Sequence, residues 1–165
     1  MIINVLPMPR FCLDWEVICI HIPTRYQSIV KFATRLAILH GSDYKSCGIS
    51  IHGVNVSHIR ALNKQYRKKD KPTNVLSFSS DALGSDMDPS IYRQLGDVYI
   101  CLQVIAREAR ELEVPFMHHL AHMVVHAILH LVGYDHEVLE DSKRMRATEV
   151  RLLAMMGIEN PYNFS

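Results

Sequence analysis

The chain has 165 residues and a net charge of +1, a length that suits one domain and allows a sizeable core to be buried. Its composition, 48% hydrophobic and 21% charged, is ordinary for a globular protein. The net charge by itself is not evidence for a polyanionic partner. No apolar run reaches the roughly 18–20 residues of a membrane span, and the N-terminus lacks a signal-peptide pattern. We therefore expect a cytoplasmic protein with no membrane partner, whose scattered cysteines are reduced thiols.

Hydrophobic periodicity predicts four strands and five helices in mixed order. The strands are expected at residues 15–22, 47–54, 75–79 and 97–102. The helices are expected at residues 23–39, 55–66, 103–112, 115–131 and 137–156, with Asn55 or Ser57 as the cap of the second. Gly41 and Gly157 stand where the first and last helices should end. Residues 80–94, which are rich in Ser and Asp and include Gly84 and Pro89, indicate one exposed loop.

The order of these elements predicts the fold class. Strand and helix do not alternate strictly, so the order is not that of a purely parallel βαβ fold. We predict an α+β fold, a single domain over residues 1–165 with one roughly four-stranded mixed sheet packed with about five helices. No internal repeat or low-complexity tract indicates a second domain.

Basic residues are concentrated between Arg60 and Lys71, where six Lys or Arg side chains accompany one acid, Asp70. The simpler interpretation is a solvated helix end and loop, and the alternative is a phosphate-binding patch. Arg67 is the strongest candidate to hold a phosphate, because a planar guanidinium matches two phosphate oxygens. The sequence does not place Arg67 near any other candidate residue.

The histidines of the fourth predicted helix form the most informative pattern. His126 and His130 are four residues apart, so their rings share one helix face and can reach one ion. Gly133 can adopt a positive φ and fold the chain back, which would let His136 supply a third nitrogen. Three imidazoles leave one tetrahedral position open, as in catalytic rather than structural zinc sites. We predict one Zn²⁺ per chain bound by these three histidines, on a helix central to the fold.

His122 offers a competing pair, because it lies four residues before His126. It is about 12 Å along the helix axis from His130, so His122 and His130 cannot share an ion. The glycine bend lies beside His130, which favours the His126/His130 pair. His118, His119 and His122 are then expected to surround the site or lie at the surface.

The residue after the first ligand argues against proteolysis. Metzincin proteases have the same ligand spacing, but they carry a glutamate base where this chain has Ala127. Zinc could still polarise an oxygen and lower the pKa of bound water toward ~7, which predicts a metal-dependent hydrolase. Asp135 is expected to orient a ligand or the turn, and Glu137 to cap the last helix.

Three ordered motifs resemble the YbeY family of bacterial endoribonucleases. They are HAILHLVGYDH at residues 126–136, LNKQYRKKDKPTNVLSF at 62–78 and GDVYI at 96–100, and the closing GIENPY at 157–162 is also similar. The resemblance covers residues 54–162, whereas the first fifty residues match only in element pattern. Two departures are Ala127, where glycine is common, and Asn74, where many members have aspartate.

The resemblance implies a zinc-dependent, single-strand-specific endoribonuclease that matures ribosomal RNA, notably the 3′ end of 16S rRNA, and acts in ribosome quality control. Its partners would be single-stranded RNA, ribosomal RNA and the small ribosomal subunit. The catalytic residues would be Arg67, His126, His130 and His136, and the three histidines would bind the zinc. Two alternatives stay open, namely a zinc hydrolase of another substrate such as an amide, and a non-catalytic ribosome-associated RNA-binding module with structural zinc. The oligomeric state, the cleavage site and the nucleophile are not predicted.

Overall fold

The computed structural model describes residues 14–44, 46–80, 92–134 and 139–164. Its elements are, in order, β1 Asp14–Ile20, α1 Thr24–Gly41, β2 Ser46–Gly53, α2 Val56–Arg67, β3 Val75–Ser79, β4 Arg93–Ile100, α3 Leu102–Glu111, α4 Phe116–Leu131, α5 Leu139–Met155 and a 3-10 turn, Pro161–Phe164. Over these ranges the chain has four strands and five α-helices, which confirms the predicted α+β class. None of the described helices is both long and apolar enough to cross a bilayer.

The four strands form one mixed sheet in the order β1-β2-β4-β3. β1, β2 and β4 are parallel, and β3 pairs antiparallel with β4 at one edge. Gly96 lies in this last pairing with φ +142°, and a side chain there would collide with the carbonyl oxygen of Phe78. Glycine at position 96 therefore lets β3 approach β4 closely enough to pair.

Helix α4 lies at the centre of the molecule. It packs on β3 and β4 and also contacts α1, α3 and α5. Most of its side chains are buried, so it is apolar on nearly every side except where it carries histidines. A second, smaller apolar cluster joins Ile59 of α2 to Leu76, Cys101 and Val104. The helix predicted to carry the metal site is thus the central helix of the fold.

Several predicted boundaries can be compared with the structure. Asn55, not Ser57, caps α2, because its side chain accepts a hydrogen bond of 2.8 Å from the His58 amide. β4 begins at Arg93 rather than Asp97, so the end of the predicted loop 80–94 was wrong. Arg93 is buried, and its guanidinium lies 5.2 Å from the centroid of the Tyr44 ring. This cation–π contact, with a residue that is distant in sequence, favours the charged side chain in the strand. Residues 81–91, the middle of that loop, lie outside the described ranges.

Candidate active site

His126 and His130 lie side by side on α4. Their ring centroids are 4.7 Å apart and the rings are nearly perpendicular, with an interplanar angle of 84°. The spacing of four residues on a helix accounts for this proximity. Just beyond the helix, Gly133 has φ +98°, and the next amide, that of Tyr134, donates to the Leu129 carbonyl at 2.9 Å. The chain therefore turns at the glycine, as the sequence predicts.

Each of the two rings is oriented through its Nδ1 atom. Nδ1 of His126 lies 2.7 Å from Oε1 of Glu149, and Nδ1 of His130 lies 3.1 Å from the carbonyl oxygen of Tyr134. Because an ionised carboxylate and a carbonyl can only accept, both Nδ1 atoms carry the proton. In the neutral form of each ring the lone pair then lies on Nε2. Imidazoles that bind metals are commonly held in this way, with the second nitrogen donating to a carboxylate or a backbone carbonyl.

Among the described residues, Glu149 of α5 is the most deeply buried carboxylate near the cleft, with 1% of its surface exposed. Its Oε2 accepts a hydrogen bond from the Tyr162 hydroxyl and lies 3.7 Å from Nε2 of His122. Burial raises the pKa of Glu149, but the imidazoles of His122 and His126 and the Tyr162 hydroxyl outweigh burial and lower it to about 2. Burial and the neighbouring carboxylate raise the pKa of Tyr162. Glu149 is therefore an ionised acceptor that holds His126.

A cleft of about 250 Å³ brings the candidate residues together. Its walls come from α4, from the end of α2, from the start of β3 and from the C-terminal turn; they include His122, Met123, His126, Ala127, His130, Arg67, Thr73, Asn74, Val75, Ser77 and Tyr162. Arg67 and the two adjacent histidines thus line one cleft, a relationship that the sequence did not reveal. Ala127 is buried in the wall, and its methyl group offers no proton acceptor beside His126.

The basic segment divides into two parts. Asp70 accepts from Nε of Arg60 at 2.7 Å and from Nζ of Lys64 at 2.9 Å, and both cations lower the pKa of its carboxyl group. Lys68 donates to the carbonyl oxygen of Gln65. The interpretation as a solvated helix surface therefore suits Arg60 and Lys64. Arg67, at the end of α2, is the basic residue that lines the cleft.

The remaining sequence candidates have different positions. His136 lies outside the described residues, as do Asp135 and Glu137, and in the described part of the chain no three metal-ligating side chains cluster. The third ligand therefore stays a prediction. His119 is buried, with its Nε2 atom 2.8 Å from Oε2 of Glu108, and His122 lines the cleft beside Glu149.

Asn74, a departure from the family pattern, has a specific partner. Its Nδ2 donates to Oε2 of Glu108 at 3.0 Å, and its Oδ1 accepts from the Val75 amide at 2.7 Å. An aspartate here would place a second carboxylate against Glu108 and repel it. The amide instead joins α3 to the first residue of β3 at the wall of the cleft.

Sequence reasoning missed Glu149 and the role of Tyr162. A signal for Glu149 was present, because it falls among Met145, Thr148, Leu152 and Leu153 on the buried stripe of α5. A glutamate within an apolar stripe must have polar partners, so it marks a buried hydrogen-bonding site. Its partner His126 is 23 residues away in sequence, which no local pattern indicates.

Comparisons with known proteins agree with this architecture. A family model for Endoribonuclease YbeY matches residues 17–157. Endoribonuclease YbeY of Acinetobacter baumannii is 44% identical over 134 residues, which cover 81% of this chain and 85% of that protein. The protein of the same name from Colwellia psychrerythraea is 39% identical over 152 residues, which cover 91% and 96%. The solution structure of TM1509 from Thermotoga maritima is similar with a TM-score of 0.58 and 25% identity, covering 86% of this chain and 88% of that one. Since the family model and these relatives span most of its length, the chain belongs to the endoribonuclease YbeY family of nuclease hydrolases.

Proposed function

We propose that this protein is a zinc-dependent endoribonuclease that cuts single-stranded RNA, matures the 3′ end of 16S rRNA and acts in ribosome quality control. The observation that supports this most strongly is the single cleft lined by His126, His130 and Arg67. The relatives named Endoribonuclease YbeY support RNA as the substrate class. The partner would be the small ribosomal subunit, and the location would be the cytoplasm, where ribosomes assemble.

Zinc fits the side chains at this cleft. His126 and His130 present a pair of imidazoles whose Nδ1 protons are already directed to Glu149 and to the Tyr134 carbonyl. Imidazole nitrogens suit zinc, and we infer that His136 completes a set of three ligands for one ion per chain. When bound, the ion supplies Lewis acidity toward a phosphate oxygen.

Arg67 would hold the scissile phosphate. Its guanidinium can donate two parallel hydrogen bonds to the non-bridging oxygens, where negative charge increases during phosphoryl transfer. Thr73 and Ser77, whose side chains carry hydroxyl groups, line the same cleft. The cleft therefore combines cationic and hydroxyl donors for an anionic substrate.

The general base is not Glu149. That carboxylate is buried and engaged by His126 and Tyr162, so it orients a ligand rather than accepting a proton from substrate. Ala127 removes the carboxylate that an amide-cleaving enzyme of this spacing would use. The nucleophile is then either water or the RNA 2′-hydroxyl. Removing the single 2′-hydroxyl at the cut separates them, because cleavage persists only if water attacks.

Metal content tests the ligand set. We expect purified wild-type protein to contain one zinc per chain by elemental analysis, and a triple His126→Ala, His130→Ala, His136→Ala variant to contain none. His122→Ala is the matched control, since it removes a cleft histidine that is not in the proposed set, and we expect it to retain zinc. Zinc retained by the triple variant would refute the ligand assignment.

Cleavage assays test the reaction. We expect wild-type protein to cut end-labelled single-stranded RNA but neither the same RNA in a duplex nor peptide and amide substrates. A 16S rRNA precursor should be cut at its 3′ end. His130→Ala should lose cleavage but keep its fold and RNA binding. Global unfolding on zinc removal would instead indicate a structural ion and a binding module.

A further inference from the structure

A second cavity, of about 530 Å³, adjoins the cleft. The two share His122 and Tyr162 as common walls. The remaining walls of the second cavity come from the turn between α3 and α4 and from the segment that follows α5. Because His122 and Tyr162 border both cavities, the second cavity is within reach of a neighbouring group of a chain-like molecule bound in the cleft.

The walls of this second cavity are mainly apolar. They include Leu112, Val114, Pro115, Ile158 and Pro161. Its volume lies within the roughly 300–1,000 Å³ typical of sites for small organic groups, which are apolar with a few placed polar atoms. His118, His119, His122 and Tyr162, whose side chains carry planar rings, also line it. Unpaired nucleobases bind to aromatic and imidazole rings of this kind.

The charge of the second cavity is opposite to that of the cleft. Arg67 lines the cleft, whereas the acidic side chains of Glu113 and Glu159 line the second cavity. Carboxylates repel a phosphate but accept hydrogen bonds from the exocyclic amino groups of adenine, cytosine or guanine. A nucleotide can therefore be divided between the two, with its phosphate in the cleft and a neighbouring base in the second cavity.

We propose that the second cavity, here named the base cavity, receives one unpaired, amino-bearing nucleobase of the RNA strand held in the cleft. This proposal rests on the proposed function and deepens it. A base in a duplex is stacked and paired, so it would first have to be unpaired and extruded from the helix. Occupation of the base cavity thus accounts physically for a preference for single-stranded RNA.

The test is a double-mutant cycle that combines one change in the protein with one change in the RNA. An abasic ribose is placed at each position in turn of a single-stranded RNA, and both binding and kcat/KM are measured with zinc-loaded protein. We expect one position near the cut to weaken binding and lower kcat/KM about tenfold when its base is missing. Val114→Phe, which fills the base cavity, should cause the same loss with intact RNA and no further loss with that abasic RNA. Val56→Phe is the matched control, since Val56 is a partly exposed residue outside both cavities, and it should behave as wild type.

The carboxylates of Glu113 and Glu159 allow a second, independent test. At the sensitive position cytosine should bind more tightly than uracil, and a double Glu113→Gln, Glu159→Gln variant should lose that preference. These exposed substitutions keep the test valid if Val114→Phe does not fold. The proposal of a base cavity would be overturned if the losses caused by the abasic RNA and by Val114→Phe were additive. It would also be overturned if no RNA position were sensitive to removal of its base. Equal binding of cytosine and uracil would overturn its preference for amino groups.

The two proposals can fail separately. If the protein binds single-stranded RNA but does not cut it, the proposed function fails and the binding cycle still decides the base cavity. If it cuts RNA with no sensitive position, the base cavity alone fails. If it neither binds nor cuts single-stranded RNA, both are refuted.

Discussion

Nδ1 of His126 on α4 lies 2.7 Å from Oε1 of Glu149 on α5. This hydrogen bond joins the helix that carries the candidate ligands to the C-terminal helix, and the Tyr162 hydroxyl donates to the other oxygen of the same carboxylate. The carboxylate is almost wholly buried, so water does not compete for it. His126 is thereby held in one tautomer and one orientation.

Replacing Glu149 tests this relationship. We expect Glu149→Gln to weaken zinc binding 10- to 100-fold, as is typical when a partner of a ligating histidine is lost. The neutral amide is a weaker acceptor for the imidazole proton. Affinity is measured by competition with a chromophoric chelator. Glu140→Gln, at an exposed position on the same helix, is the control and should bind zinc as wild type does. Equal affinity in the two variants would show that Glu149 does not support the site.

Substitution of Arg67 tests whether its guanidinium holds the scissile phosphate. We expect Arg67→Lys to lower kcat/KM for RNA by about 10²- to 10³-fold, because an ammonium group cannot form the paired hydrogen bonds of a guanidinium. The thermal midpoint should not change, because Arg67 is exposed at the helix end. Arg60→Lys, on the same helix but paired with Asp70, is the control and should retain activity. Full activity of Arg67→Lys would show that cleavage does not require a planar guanidinium at this position.

Alanine substitutions at Gly133 and Gly157 distinguish the effect of backbone strain on stability from an effect on zinc binding. Both have positive φ, +98° and +72°, and a Cβ at either would meet no atom within 4 Å. Alanine at either position should therefore lower the free energy of unfolding by about 1–2 kcal/mol through backbone strain alone. Denaturant unfolding measures this loss. Zinc affinity should fall only in Gly133→Ala, since that turn leads to His136. Equal zinc affinity in both variants would argue against His136 as a ligand.

Glu108 has a testable pH dependence. Burial raises its pKa, but hydrogen bonds from His119 and Asn74 outweigh burial, and its pKa is lowered from 4.5. A pKa lower in the folded than in the unfolded state stabilises the protein above the unfolded-state value, and the stabilisation is lost as pH falls through the folded-state value. We expect Glu108→Gln to be about 1 kcal/mol less stable than wild type at neutral pH.

The difference between wild type and Glu108→Gln should narrow as the pH falls below 4.5, the ordinary value for this carboxyl group. Urea unfolding at a series of pH values measures it. Glu111→Gln, on the same helix with an exposed carboxylate, should show little difference from wild type at any pH. A Glu108→Gln difference that does not change with pH would exclude the carboxylate charge as its source.

Local patterns predicted the elements well where burial follows from the sequence itself. β3 was predicted at the residues it occupies, and α4 within a residue of its limits, because a short apolar run and a long apolar stripe are each decided locally. The start of β4 was misplaced because Arg93 is charged, and the ring that its guanidinium contacts, Tyr44, is distant in sequence. A contact of that kind leaves no periodic signature.

The site was predictable in part for the same reason. The pairing of His126 and His130 follows from helix geometry over one turn. The approach of Arg67 to that pair depends on how α2 packs on β3 and β3 on α4, and no local pattern of the sequence indicates that packing. Glu149 was missed because a buried charge is recognised by its partners, and those partners lie on other elements. The position of His136 stays a prediction.

Helix α4 is enclosed by β3, β4, α1, α3 and α5. Backbone amides in such an element exchange with solvent only when the whole domain opens, so those near His126 should be among the slowest in deuterium exchange. We therefore expect the helix that carries two of the proposed ligands to persist without an ion. Zinc loading and release would then not require the chain to refold.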